Sequence, residues 1–302
     1  MSKTTQTSGI NHPIVFFGTE EHSLVALKGL VEAGYAVALV ITKPDTAKGR
    51  GKKIIPPAVK VYAESQGIAV LQPTKLTDCI DAISAIDHRI GVLVSYGKII
   101  PQQILDLFEP TGIINIHPSL LPRYRGPSPI ESAIVNRDNK TGVTLMKLSA
   151  AMDAGPIYMQ VPYALDNTET KPELYDTLFT LGTNLLTANL PKIISGDKTP
   201  VTQDESEASY CSLLTKANGE LNLATITPGN AEARIRAYLG YPKTYLTIGE
   251  HRVIVTRAHG VMTKETPLDL ECSNGAYLSI DELIAPSGKK MTAQEFLRGY
   301  TL

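Results

Sequence analysis

Residues 14–41 read IVFFGTEEHSLVALKGLVEAGYAVALVI, and this stretch determines the class of fold. The unbroken apolar run at 14–17 is typical of a buried strand, and Gly18 follows it as a tight turn. Residues 23–33 have the apolar spacing of a helix that stops at Gly34, and residues 35–41 form a second apolar run. Strand, helix and strand in this order predict a βαβ unit with parallel strands.

The same alternation continues toward the middle of the chain. Five more strands are predicted, at residues 68–71, 90–95, 112–117, 142–148 and 157–164. Three more helices are predicted, at residues 57–66, 78–86 and 172–194. The predicted fold class is therefore α/β, a doubly wound and mostly parallel sheet. In such a sheet, ligands bind beyond the carboxyl ends of the strands.

The character of the sequence changes after residue 195. Residues 196–209 are polar and contain Gly196 and Pro200, which predicts a linker between a domain at 1–195 and a second domain at 210–302. The second domain has one predicted helix and several short β-like runs, at residues 230–239, 244–248, 252–258 and 276–280. The Asn274-Gly275 pair is a hairpin turn signal, and the whole pattern predicts a small β-rich barrel or sandwich.

Composition excludes several classes of protein. Three widely spaced cysteines, without a CxxC pair or a Cys/His cluster, predict free thiols and no structural zinc site. The polar amino-terminal residues lack a signal core, and the apolar run at 35–41 is too short to span a bilayer. We therefore expect a soluble, cytoplasmic, monomeric protein with no membrane partner. With a net charge of −1, the chain as a whole does not attract a nucleic acid, so such a partner would have to bind local basic patches.

Two glycine-containing stretches resemble nucleotide-binding loops only superficially. The turn after the first strand, Gly18-Thr19-Glu20-Glu21-His22, is not a GxGxxG motif, and its carboxylates would repel a dinucleotide. The segment from Lys43 to Lys60 has six basic residues and one acid but no Walker spacing. Composition alone favours a solvated surface loop there. The alternative is a loop that contacts the phosphates of a nucleic acid.

Asn115, His117 and Asp153 are the candidate catalytic residues. Asn115 and His117 are two apart in a strand, so they share one face at the end where an α/β fold binds its ligand. An amide suits a developing oxyanion, and an imidazole exchanges protons near neutrality. Asp153 follows in a Gly-Pro loop that, taken alone, would be ordinary turn chemistry. No GxSxG elbow is present, which favours direct attack of an acceptor on a bound donor.

Asn115-Ile116-His117, the motif from Ser119-Leu120-Leu121-Pro122 through Arg123-Tyr124-Arg125-Gly126, and Asp153 resemble the signature of 10-formyltetrahydrofolate-dependent formyltransferases. The resemblance implies that 10-formyltetrahydrofolate is the formyl donor, a co-substrate, and that no metal is needed. It implies catalytic roles for Asn115, His117 and Asp153. It also implies that the folate site is lined by Ser119, Leu120, Leu121 and Pro122.

Within that family, the segment at 43–73 and the tail at 285–297 resemble the members whose acceptor is initiator methionyl-tRNA. This likeness implies translation initiation as the process and an oligonucleotide-binding-like barrel at the carboxyl end. It implies tRNA contacts from Lys48, Arg50, Lys52 and Lys53. An amino sugar on a nucleotide is the alternative acceptor, and a non-catalytic folate- or RNA-binding protein is an alternative of another class. From Cys211 onward, ten Lys and Arg stand against nine Asp and Glu, a weak electrostatic signal for RNA.

Overall fold

The computed structural model describes residues 12–48 and 53–301, with the backbone alone described at Lys48 and Lys53. The chain divides into two compact units. One takes the chain up to Arg125 together with residues 142–162 and 176–209, and the other takes residues 126–141, 163–175 and the chain from Tyr210 onward. The domain boundaries at 195 and 210 stay predictions.

Nine strands lie among the described residues up to Ala164. They are β1 (Ile14–Gly18), β2 (Val37–Ile41), β3 (Thr46–Lys48), β4 (Lys53–Ile55), β5 (Ala69–Leu71), β6 (Ile90–Val94), β7 (Ile113–His117), β8 (Lys140–Lys147) and β9 (Ile157–Ala164). Seven of them form one sheet in the order β5-β2-β1-β6-β7-β8-β9, and β3 pairs with β4 as a separate hairpin. Because β1, β2, β5, β6 and β7 pair in parallel, the predicted mostly parallel α/β sheet is confirmed.

Six α-helices accompany these strands in the part of the chain that the structure describes. They are α1 (Ser23–Glu32), α2 (Ala58–Ser65), α3 (Ile80–Ser84), α4 (Gln102–Leu105), α5 (Pro129–Val135) and α6 (Lys171–Ile194). Helix α6 packs closely on the sheet at Gly182, where an added Cβ would crowd the Ile116 side chain. The small residue therefore lets the long helix approach the back of β7.

The strand β7 occupies the position in the sheet where the pairing direction changes. It pairs in parallel with β6 and antiparallel with β8. All five residues of β7 are buried, as expected for a strand covered on both faces. The polar members Asn115 and His117 thus lie inside the protein, beside the carboxyl end of β6.

The carboxyl-terminal part of the chain forms an antiparallel, β-rich unit, as predicted. Its elements are α7 (Pro228–Ala237), β10 (Thr244–Ile248), β11 (His251–Val261), β12 (Asp269–Glu271), β13 (Tyr277–Ile284), β14 (Lys290–Thr292) and α8 (Ala293–Gly299). The strands pair in the order β10-β11-β13-β12, and β14 adds to β13. A core of buried aliphatic residues with Phe296 holds the unit together.

Several short elements had no periodic signal in the sequence. The hairpin β3–β4 and the helices α4 and α5 are each shorter than the window in which a period can be recognised. The predicted helix at 78–86 is divided, because a 3₁₀ turn at Leu76–Cys79 precedes α3. No helix among residues 12–48 and 53–301 is long and apolar enough to cross a membrane.

Candidate active site

The carboxyl end of β7 brings the first two candidate residues together. Asn115 is 6% exposed and His117 5% exposed, and both belong to one face of the strand. Within the part of the chain that the structure describes, the Asn115 side-chain amide has no hydrogen-bond partner. The polar atoms of this amide are not fully sealed from solvent, so they are open to a bound ligand as a partner.

The imidazole of His117 lies between two protein groups. Its Nε2 atom is 3.0 Å from the backbone carbonyl oxygen of Tyr124. A carbonyl oxygen can only accept, so Nε2 carries the proton and donates it. The Nδ1 atom faces Asp153, with 3.8 Å between Nδ1 and Oδ2. That separation is too long for a direct hydrogen bond but leaves both groups able to act on one reacting atom or water.

Asp153 lies on a tight loop between β8 and β9. Its φ of +48° is unusual for a residue other than glycine. Two residues on, Gly155 runs so close to β8 that a Cβ would overlap the Lys147 carbonyl oxygen. Gln203 donates from Nε2 to the carbonyl oxygens of Asp153 and Gly155, at 2.7 Å each. The conformation of the loop is thus maintained from outside the loop itself.

The turn at residues 119–122 is held in place by hydrogen bonds to two strands. The Thr144 hydroxyl of β8 donates to the Ser119 carbonyl at 2.6 Å and accepts from the Leu121 N–H at 3.1 Å. Gln160 of β9 donates to the Leu121 carbonyl at 2.8 Å. The fully buried Ser119 hydroxyl donates to the Arg123 carbonyl at 2.7 Å. The Ser119 hydroxyl is therefore used inside the turn, whereas Leu120 and Pro122 are half-buried and can meet a ligand.

Comparison with known proteins identifies the family. The family described as formyl transferase matches the chain at residues 14–190, and the family described as formyl transferase, C-terminal domain, matches it at residues 213–301. The chain belongs to the formyl transferase family. The resemblance that the sequence predicted is thereby confirmed.

Relatives of this formyl transferase align over nearly the whole chain. The methionyl-tRNA formyltransferase of Myxococcus xanthus is 36% identical, covering 96% of this chain and 95% of its own. That of Citrifermentans bemidjiense is 33% identical, covering 96% and 94%. Among solved structures, WlaRD, a sugar 3N-formyl transferase, is 21% identical with a TM-score of 0.69, covering 90% of this chain and 98% of its own. At that identity, the last likeness shows the fold alone.

Two of the predicted tRNA-binding residues, Lys48 and Lys53, belong to the β3–β4 hairpin of this formyl transferase. The backbones of Lys48 and Lys53 pair with each other at the end of the hairpin where the chain connects its two strands, and Arg50 and Lys52 lie outside the described residues. Asp45, the residue before β3, is held by two side chains. Gln72 and Lys60 both donate to its carboxylate, and these hydrogen bonds lower the pKa of Asp45.

Three further groups support the candidate residues, namely the Tyr124 carbonyl, Gln203 and Arg125. A backbone contact such as that of the Tyr124 carbonyl leaves no signal in the sequence. Gln203 lies in the stretch predicted as a linker and Arg125 in the 119–126 motif, and neither pattern predicts a contact with Asp153 or with its loop.

Tyr96 is a fully buried phenol in the core beside Phe17. Its burial raises its pKa to about 12, and the charge of Cys79 adds to the increase, so this phenol stays neutral.

No group of three or more His, Cys, Asp or Glu side chains in residues 12–48 and 53–301 is arranged to hold a metal ion.

Proposed function

We propose that this formyl transferase moves the formyl group of 10-formyltetrahydrofolate to the α-amine of methionine on initiator methionyl-tRNA. Relatives with the name methionyl-tRNA formyltransferase support the proposal, since they align with it along almost the full length of both chains. The site supports the same chemistry, because it offers a neutral amide donor beside an acid–base pair.

The observation that carries the proposal is the unpartnered amide of Asn115 next to His117 and Asp153. Transfer of a formyl group passes through a tetrahedral centre whose oxygen is negative. An amide N–H that is already in place and nearly buried stabilises that oxygen better than water does, because it need not reorient. Asn115 is therefore proposed as the oxyanion donor.

The proposed transfer balances without a covalent enzyme intermediate. The neutral amine nitrogen attacks the formyl carbon, a new C–N bond forms, and the carbonyl electrons move to oxygen. When the oxygen electrons return, the bond from carbon to N10 breaks. The amine loses one proton and N10 gains one, so tetrahydrofolate leaves protonated at N10. Holding donor and acceptor together supplies a large part of the acceleration.

His117 and Asp153 are proposed to move that proton. Since Nε2 of His117 already donates to Tyr124, Nδ1 is the ring position that can exchange a proton. The Asp153 carboxylate at 3.8 Å balances the positive charge that the ring carries when Nδ1 is protonated. In that state Nδ1 is a second donor for the oxyanion, and Asp153 orients the ring.

For the acceptor, we propose that Lys48, Arg50, Lys52 and Lys53 contact the phosphates of the tRNA. Their support is the charge of the segment and its likeness to the tRNA-dependent members. The carboxyl-terminal unit is proposed to help hold the tRNA. The folate donor is proposed to lie against Ser119, Leu120, Leu121 and Pro122. Such a substrate is cytoplasmic, and we propose the same location for the protein.

The test is a transfer assay with labelled 10-formyltetrahydrofolate. Methionyl-tRNA and amino-sugar nucleotides are offered in parallel to the wild-type protein and to Asn115→Ala. Label on methionyl-tRNA that depends on Asn115 supports the proposal. Label on the amino sugar alone supports a sugar-nucleotide N-formyltransferase, and label on neither acceptor points to a binding protein.

A further inference from the structure

Gln203 connects two parts of the protein that are far apart in sequence. It is 6% exposed, and its Nε2 donates to the Asp153 and Gly155 carbonyls at 2.7 Å each. Its Oε1 accepts from Arg125, at 3.0 Å from Nε and 2.8 Å from the terminal nitrogen. Arginine only donates and carbonyls only accept, so the amide has one satisfactory orientation. Nε2 of Gln203 thus donates one hydrogen bond to each of the two loop carbonyls.

Arg125 is held just as firmly on its other side. The guanidinium is 0% exposed and forms a two-bonded pair with Glu205, at 2.9 and 2.7 Å. The hydrogen bond from Arg125 lowers the pKa of Glu205, which keeps that carboxylate ionised. A buried guanidinium with its charge compensated is a rigid support for Gln203.

The segment at residues 203–209, which contains Gln203 and Glu205, also supports the His117 side of the site. The Ser209 hydroxyl accepts from the Tyr124 N–H at 3.0 Å, and the Ser209 carbonyl accepts from the Arg125 N–H at 2.9 Å. Tyr124 has a φ of +58°, and its own carbonyl is the acceptor for Nε2 of His117. The 203–209 segment thus reaches Asp153 at one end and the partner of His117 at the other.

We infer that Gln203 is a positioning residue that sets the separation of the His117 ring and the Asp153 carboxylate. The inference rests on the proposed function of that pair. A left-handed Asp153 is costly, and two hydrogen bonds from Gln203, one of them to the Asp153 carbonyl itself, maintain it. The residue touches no reacting group, so it acts on catalysis only through the loop.

The decisive variant is Gln203→Glu, which keeps the shape and the oxygen that faces Arg125. It replaces the donor that faces Asp153 and Gly155 with an acceptor, so the loop is repelled. We expect kcat to fall roughly 10- to 100-fold and the pH–rate profile to move, because the proton-transfer geometry changes. The KM values for both substrates should change little, whereas the melting temperature should fall, because a nearly buried carboxylate would face two carbonyl oxygens.

Gln102→Glu is the matched control, because Gln102 is an exposed amide whose Nε2 donates to Asp106. It should leave kcat and the pH–rate profile as in the wild type. An unchanged kcat and profile in Gln203→Glu would overturn the inference. If Gln203→Glu does not fold, Gln203→Met, which lacks both donors and charge, is measured in the same way and must give the same two changes.

A measurement without substrates separates this inference from the proposed function. The ring nitrogen chemical shifts of His117, recorded by NMR, should differ between Gln203→Glu and the wild type. A difference in the shifts with no formylation of methionyl-tRNA by the wild type would leave Gln203 as a positioning residue and overturn the proposed acceptor. Identical shifts in an active enzyme would overturn the role of Gln203 alone.

Discussion

The Nε2 atom of His117 lies 3.0 Å from the backbone carbonyl oxygen of Tyr124. This contact assigns the proton of the ring, because the carbonyl can only accept. It also depends on the left-handed backbone of Tyr124, whose φ is +58°. The tautomer of the candidate acid–base residue is therefore set by the backbone of a turn rather than by a side chain.

Asn115→Ala should lower kcat by roughly 100- to 1000-fold, because the oxyanion loses a donor that is already in position. The KM for the formyl donor should change little. The measurement is single-turnover transfer of label, with circular dichroism to verify the fold. A folded variant that turns over at nearly the wild-type rate would show that Asn115 is not the oxyanion donor.

Arg50→Ala combined with Lys52→Ala should weaken the use of tRNA and leave the donor KM unchanged. With two fewer phosphates neutralised, the slope of log affinity against log salt should become shallower by roughly 1 to 2. Lys140→Ala with Lys192→Ala, two exposed basic residues outside the 43–73 segment, is the control. An unchanged salt slope would contradict the proposed role of the segment.

Gly155→Ala should reduce both stability and activity. The new Cβ overlaps the Lys147 carbonyl oxygen, so the loop must move away from β8 and take Asp153 with it. Gly196→Ala is the comparison for a loop glycine, because a Cβ there meets nothing within 4 Å, although its φ of +80° still carries a backbone cost. Urea unfolding and kcat are measured for both. Normal kcat in Gly155→Ala would mean that the loop tolerates the shift.

Because of Asp269, the free energy of unfolding should decrease at acidic pH. Burial alone would raise the pKa of Asp269, but hydrogen bonds from Ser279, Glu265 and Thr266 together lower it to about 2. The folded pKa is below the ordinary value of 3.8, so the stabilisation is complete above about pH 4 and is lost as pH falls through about 2.

The test of Asp269 is Asp269→Asn. This variant should lose about 1–3 kcal/mol at neutral pH, because its amide cannot accept all of these bonds. Its stability should also fall less steeply than that of the wild type between about pH 4 and pH 2. Unfolding curves measured at several pH values report both effects. Parallel curves for the two proteins would contradict the assignment.

The sequence was sufficient where one periodic pattern determines one structure. Apolar strands such as 14–17 and 35–41 predicted the parallel sheet, and the two-residue spacing of Asn115 and His117 predicted their common face. The long helix was predicted at 172–194 and is found at Lys171–Ile194. In these cases, local pattern and tertiary structure agree.

What could not be predicted are contacts between distant residues. The bond from Gln203 to the Asp153 carbonyl joins positions 50 residues apart. A polar stretch with Gly196 and Pro200 has the composition of a linker whether or not its side chains are buried. The left-handed conformation of Asp153 is likewise imposed by its surroundings, because aspartate has no strong preference for it.

The position of Gln203 and Ser209 after helix α6 has a consequence for how the enzyme is made. Asn115, His117 and Asp153 all leave the ribosome before the segment that supports them. During translation, the nascent chain can form its sheet while the site is still unsupported. We expect catalytic competence to begin only once residue 209 has emerged, so a fragment that stops at residue 195 would have the proposed catalytic residues without the hydrogen bonds that align them.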